Sequence, residues 1–288
     1  MKKTNLIFTT FFAFALFFIA CKKEEFVVTF NANGGTGTME TQTFKAGKSQ
    51  VLIANAFTNK GYTFTGWNTN PNGTGGTTYK NQETVSVLKN MTLYAQWALM
   101  DIDGNIYKTV QIGTQLWMKE NLRVTKYKTG ENIPVITDAG QWANSRTGAM
   151  CYFGDKIENA LKYGALYNGY TAITGKLCPE GWRVPSNNDW ILLANYLGGE
   201  EIAGHKMKAD YGWTSEDGVS GNGSNESGFT AVSAGHCNEG GGFGGLGLMT
   251  AFWNSTEGDM QYLLNTDREL HTYKVSLAIG YSVRCVKE

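Results

Sequence analysis

The sequence predicts two domains behind an N-terminal export segment: a small β-rich module over residues 26–97 and an α+β module over residues 101–288. Three observations carry this. Residues 26–97 alternate apolar and polar side chains between Asn- and Gly-rich turns, the pattern of half-buried strands. Beyond residue 101 helical signals come first and strands last, with no βαβ alternation. Composition supports many tight turns: 36 Gly against 4 Pro, with 13% aromatic residues.

The chain starts with Lys2 and Lys3, continues with the uncharged Leu6–Ala20, and then reads Cys21-Lys22-Lys23-Glu24-Glu25. A basic start, an apolar core and a small residue before the processing point make residues 1–20 a signal peptide. As a helix, Leu6–Ala20 spans roughly 22 Å, short of a bilayer core. Ala20-Cys21 resembles the lipobox of bacterial lipoproteins, which implies a lipidated Cys21 and a tether over residues 21–25. Lys23-Glu24-Glu25 is similar to the tag that carries lipoproteins of the Bacteroidetes to the outer face of the outer membrane. The expected location is therefore the outer membrane, lipid-anchored and surface-exposed. The formal net charge of zero provides no long-range field for nucleic acid.

In the first module Phe26–Phe30 reads as a strand, and Asn33-Gly34-Gly35 supplies the positive-φ residues of a turn. Gly61–Trp67 and Thr92–Trp97 alternate, with Leu93, Ala95 and Trp97 on one face; Asn70-Pro71-Asn72-Gly73 turns between them. Val28–Gly35, Gly61–Asn68 and Leu93–Trp97 together resemble the Listeria–Bacteroides repeat, also called the internalin B-repeat type. The resemblance implies a β-grasp-like fold used in extracellular stalks, with Trp67 and Trp97 as core residues. Ala98-Leu99-Met100 is too short and too apolar for a flexible linker, so the modules are expected to touch.

In the second module Ile106–Ile112 alternates, and Gly113-Thr114 closes a hairpin into Gln115–Met118. The clearest helix starts at Ser186, with Asp189 at the reciprocal capping position. Trp190, Leu193, Ala194 and Leu197 form its apolar stripe and Gly198-Gly199 ends it. Ile157–Leu161 and Ile202–Met207 suit shorter helices. Met249–Ser255, Met260–Leu264, Tyr273–Leu277 and Tyr281–Val286 read as strands. Four cysteines remain besides Cys21, an even set that suggests disulfides in an exported protein and allows three pairings.

Asp103–Val110, Ile112–Met118, Tyr163–Asn168, Cys178–Ser186, Phe252–Glu257 and Ser282–Lys287 resemble, in order, the Fibrobacter succinogenes major paralogous domain. Its Gly-Trp-Arg-Val-Pro run and terminal Val-Arg-Cys strand are similar to C-type-lectin-like and formylglycine-generating-enzyme-like folds. That likeness implies a bridge between Cys178 and Cys285. The partner that the family often places nine residues after Cys151 is Ala160 here, so Cys151 either pairs with Cys237 or both stay free.

The chemistry reads as binding, with no cofactor. Gly242–Gly247 matches G-x-G-x-x-G, but no helix follows and no βαβ unit surrounds it, which excludes a dinucleotide site. His236-Cys237 are neighbours whose side chains rarely converge, and His205, His236 and His271 lack metal-ligand spacing. No metal is expected. If calcium did bind, its oxygens would come from Asp217, Asn222, Asn225 and Glu226, in a run that otherwise reads as a surface turn. Trp213, Tyr262 and Trp253 are the candidates for stacking on a sugar ring, Trp213 being the one expected to be exposed. The expected function is non-catalytic binding or adhesion to a glycan or surface protein. The alternatives are a lectin-fold enzyme related to formylglycine-generating proteins and a structural subunit of a surface assembly.

Overall fold

A computed structural model describes residues 24–73 and 75–288. The signal peptide, Cys21 and the start of the export tag lie outside the described residues. Among the described residues no helix is long and apolar enough to cross a membrane. The fold is two modules, strongly β-rich, with few helices.

The first module comprises β1 (Glu25–Asn31), β2 (Gln42–Lys45), β3 (Ser49–Val51), β4 (Thr63–Asn68), β5 (Thr78–Tyr79), β6 (Thr84–Ser86) and β7 (Met91–Met100). Its main sheet has the order β2-β1-β7-β4-β5, with β1 parallel to β7, and β3 pairs with β6 apart from it. Alternation along β1 and β7 sends Val28, Phe30, Leu93 and Ala95 into the core. There Trp67 is fully buried, with the rings of Phe30 and Phe64 each 4.9 Å from its own and Phe57 at 6.1 Å. β4 bulges between Phe64 and Gly66, and Gly66 sits at φ 142° where a Cβ would lie 2.7 Å from the Tyr79 carbonyl oxygen.

The second module comprises β8 (Ile106–Tyr107), β9 (Thr109–Ile112), β10 (Gln115–Met118), α1 (Ala139–Asn144), β11 (Met150–Cys151), α2 (Ala160–Tyr163), β12 (Leu166–Asn168) and α3 (Gly169–Ala172). There follow β13 (Trp182–Arg183), α4 (Asn187–Leu197), α5 (Glu200–Met207), β14 (Ala234–Cys237), β15 (Phe243–Leu246) and β16 (Met249–Trp253). The chain ends with β17 (Asp259–Leu264), β18 (His271–Lys274), β19 (Gly280–Tyr281) and β20 (Val286–Lys287). One sheet runs β13-β20-β10-β9 and a larger one β11-β12-β19-β14-β16-β17-β18, with β15 beside β14. The core between sheets and helices is aromatic: Trp117, Trp190, Phe229 and Phe252 form one group and Trp182, Trp253, Tyr167 and Tyr281 belong to another.

α4 forms where its caps require. The Ser186 side chain accepts from the Asp189 backbone N–H, and Asp189 Oδ2 accepts from the Ser186 N–H at 2.7 Å. Arg183 adds a two-pronged ion pair to Asp189 at 2.5 and 2.9 Å. Burial would raise the Asp189 carboxyl, but the Arg183 and Ser186 hydrogen bonds outweigh it and hold it down at about 2. Gly198, at φ 105°, ends the helix.

Three expected elements differ. Ile157–Leu161 is a 3-10 turn at Ile157–Asn159 running into α2, because Ile157 and Leu161 face solvent and have no core to bury against. The strand expected at Tyr273–Leu277 lies earlier, at His271–Lys274, in register with β17. Tyr281–Val286 is interrupted between β19 and β20. There the carbonyls of Val283 and Cys285 accept from the N–H groups of Leu122 and Met118, so this segment bonds to the end of β10 and the residues after it. Cys178 and Cys285 are joined, with S–S 2.07 Å.

The modules meet along a continuous strand. β7 runs through Ala98-Leu99-Met100 and pairs with β8, Leu99 opposite Tyr107. Asp101 closes the turn, accepting from the N–H groups of Asp103 and Asn105 and from the Tyr107 hydroxyl at 2.6 Å. Trp182 Nε1 donates to the Gly61 carbonyl at 3.1 Å, and Gly61 is at φ +81° with Trp182 where its Cβ would be.

Replacing both Cys178 and Cys285 by Ser is expected to cost up to about 4–5 kcal/mol, the chain-entropy value for a loop near this length, read by urea denaturation. Asp189→Asn is expected to cost about 1–2 kcal/mol at neutral pH by weakening the cap. Because the folded carboxyl titrates below the unfolded one, that difference is full above about pH 4 and fades as pH falls toward about 2. Thermal melts of both proteins across that range check it.

Candidate functional site

The chemistry of the second module converges on a hollow of about 430 Å³ that opens to solvent beside α2. Its floor is Arg284. Lys108, Lys119 and Lys162 line it, with Tyr211 and Leu161, and Glu120 is its one carboxylate.

The residues flanking Arg284 pin it in place. Cys285 is in the disulfide, and the carbonyls of Val283 and Cys285 are bonded to Leu122 and Met118. This sets Asn121 directly against the arginine, with Lys119 and Glu120 lining the same hollow. Asn121 Oδ1 accepts from Arg284 Nε at 3.1 Å and from Nη2 at 2.7 Å. The Asn121 amide donates to the Tyr163 carbonyl and to Ser282 Oγ, which fixes its orientation. Gly164 permits this close approach: it is at φ +80°, and a Cβ there would fall 2.5 Å from the Asn121 Cβ.

Arg284 is buried without a carboxylate partner. Its remaining acceptors are the carbonyls of Phe229 and Thr230, and its guanidinium carbon lies 4.2 Å from the Phe229 ring and 5.3 Å from that of Phe252. Burial pulls the guanidinium down to about 9, leaving it charged at neutral pH. Thr230, which also lines the hollow, is a β-branched residue at φ 58°. That left-handed conformation costs on the order of 1–3 kcal/mol. Asn225 Oδ1 braces it by accepting from the Thr230 N–H at 2.9 Å.

None of the lysines in the hollow makes an ion pair among the described residues. The Glu120 carboxylate is held by the fold, accepting from the Lys108 N–H at 2.8 Å.

The residues singled out from the sequence lie elsewhere. Trp213 is buried, its indole N–H donating to the Ala231 carbonyl at 3.0 Å with Lys208 over its ring; the Tyr-Gly-Trp turn tucks it inward instead of presenting it. Trp253 is fully buried and donates to the Tyr167 carbonyl at 2.7 Å, so neither ring offers a face. Tyr262 is half-buried and stacks on His271 with centroids 4.6 Å apart, which covers one face. The calcium candidates do not converge. Asn222 Oδ1 accepts from the Trp213 N–H, Asn225 braces Thr230, Glu226 pairs with Lys206 at 3.6 Å, and Asp217 lies in an exposed turn. No cluster of three or more His, Cys, Asp or Glu able to hold a metal occurs among the described residues.

Cys151 and Cys237 are both buried free thiols, and the hydrogen bond with Cys237, then burial, pushes the Cys151 thiol up. His236, adjacent to Cys237, has its ring near that of Tyr281. Gly242–Gly247 forms the outer strand of a hairpin with β14 and opens no helix. The hollow's own residues escaped the sequence reading because they are scattered from 108 to 284. One signal was visible: a charged residue inside the otherwise apolar Val283-Arg284-Cys285-Val286.

Residues 110–287 match the model of the Fibrobacter succinogenes major domain, and residues 26–96 that of the Listeria-Bacteroides repeat domain. No curated protein and no solved structure matches the chain.

Asn121→Ala leaves two guanidinium donors of Arg284 without their acceptor and is expected to cost about 2–3 kcal/mol. Tyr211→Ala, at an exposed side chain, is expected to stay within about 0.5 kcal/mol. Urea denaturation of the two variants side by side checks the contrast.

Proposed function

This chain belongs to the Fibrobacter succinogenes major domain family, and from that premise we propose that it is a lipid-anchored cell-surface protein with a non-catalytic binding role. In this reading Cys21 carries the lipid, Lys23-Glu24-Glu25 directs the protein to the outer face of the outer membrane, and the distal module is C-type-lectin-like. Its partner is a glycan or a protein of another surface. The observation that carries the reading is the open hollow over Arg284, whose lysines are without ion pairs while Glu120, Asn121 and Arg284 are bonded to the fold itself. Such a lining favours holding a ligand over transforming one.

The tether sets the geometry. β1 starts at Glu25, so Lys22–Glu24 reach about 10 Å when extended. The repeat module then rests close to the membrane, and the distal module is carried outward on the continuous β7–β8 junction.

Protease treatment of intact cells is expected to release both modules from the wild type, and Cys21→Ala is expected to appear unanchored. Protection of the wild type until the outer membrane is permeabilised would place the protein in the periplasm instead. Immobilised two-module protein is expected to retain a glycan or surface protein from an array or extract, and Tyr211→Ala, its fold checked by urea denaturation, to retain less. Equal retention by both would remove the hollow from the binding role.

A further inference from the structure

We infer that the ligand of this hollow is an acidic oligosaccharide, one carrying carboxylate or sulfate groups along its length. The inference rests on the binding role proposed above and specifies its ligand class.

The hollow over Arg284 adjoins a second one of about 490 Å³ at the module junction, and Lys108 and Lys119 line both. These lysines are the border the two hollows share, and together the hollows make the proposed groove. Lys162 stands toward one end, and the half-buried rings of Tyr62 and Trp97 line the other. Along the first hollow four cations, Lys108, Lys119, Lys162 and Arg284, face a single carboxylate, Glu120. The whole chain is formally neutral, so this excess is local. The surrounding fold only partly neutralises it: the lysines are without ion pairs, and Arg284 is hydrogen-bonded to neutral acceptors, with the nearby Glu120 carboxylate its one counter-charge in the hollow. A partly compensated positive groove lowers the free energy of an anion entering it and speeds its arrival.

The distribution of the charges decides between a small anion and a chain. Most Arg284 donors are already spent on Asn121, Phe229 and Thr230, so no fork is left to grip one phosphate or carboxylate. The free charges are spaced along the groove, which suits a repeating anion. Ring faces decide between a sugar and a peptide chain. Tyr211 is 52% exposed beside the first hollow, so a flat amphipathic surface flanks the lysines there; in the second, Tyr62 lies under Lys287 and Trp97 packs against Phe64, so these two rings are half-buried lining. A pyranose presents an apolar face to an exposed ring and its anionic substituents to the lysines.

The test measures binding of the two-module protein to oligogalacturonate and dextran sulfate, with neutral dextran and polyglutamate as comparators. One or both acidic glycans are expected to bind and neutral dextran not to. Raising salt from about 0.05 M to about 0.5 M is expected to weaken binding severalfold, since exposed charges are screened at that ionic strength. The double variant Lys108→Gln and Lys119→Gln is expected to bind at least about tenfold more weakly, and Lys45→Gln with Lys48→Gln, outside both hollows, to bind as the wild type. Melting curves show that each variant is folded; if the Lys108 and Lys119 pair is not, Lys162→Gln replaces it with the same expectation. Equal affinity for neutral dextran, tighter binding of polyglutamate, indifference to the lysine changes, or no binding of any probe each overturns the inference. If partner capture in the extract persists through such a result, the binding role stands and only its ligand class falls.

Discussion

The return of the C-terminal segment into the middle of the distal module is the constraint on which the rest of this structure depends. Over a handful of residues the segment makes four kinds of attachment. β20 lies between β10 and β13 as the shared strand of their sheet. Cys285 is bonded to Cys178 ahead of α4. Val283 and Cys285 hold the backbone that carries Lys119–Asn121. Beyond them Lys287 lies over the Tyr62 ring at 4.8 Å and Glu288 pairs with Lys60, contacts that reach into the first module. Loss of this return would open the sheet, the site and the junction together.

Arg284 sits at the centre of that segment, and its environment is costly. A buried charge without a hydrogen-bonded counter-charge survives only if its hydrogen bonds are complete and its geometry is prearranged. Here the prearrangement comes from a glycine that lets Asn121 approach, an amide locked by two acceptors, and a strained threonine whose carbonyl faces the guanidinium. An apolar residue could fill such a position at lower cost in folding. A strained threonine and a buried charge thus lie together beside one hollow.

The junction answers a different need. A strand shared across two modules transmits position in a way that a flexible linker does not. The Asp101 turn and the Trp182–Gly61 bond fix the angle further. The groove runs onto this boundary, with β7 and β8 forming part of its second hollow, so its shape depends on both modules staying docked.

Much of the fold was legible in the residues. The α4 caps, the Gly113-Thr114 hairpin, the alternation of β1 and β7 and the contact of the modules all follow from local rules: a side-chain oxygen three residues before a free N–H, a positive-φ turn, a period of two, an apolar linker. Such rules act over a few positions, so a sequence displays them. Burial and convergence do not. Trp213 looked like an offered ring, and only the packing of distant strands decided that it is core. The site is assembled from residues 108 to 284, brought together by the C-terminal return, and no spacing in the chain announces it. What the sequence determined by itself is the order and kind of the modules and their local elements. What the tertiary structure decided is which cations were left unpaired around one hollow, because charge compensation is a property of neighbours in space.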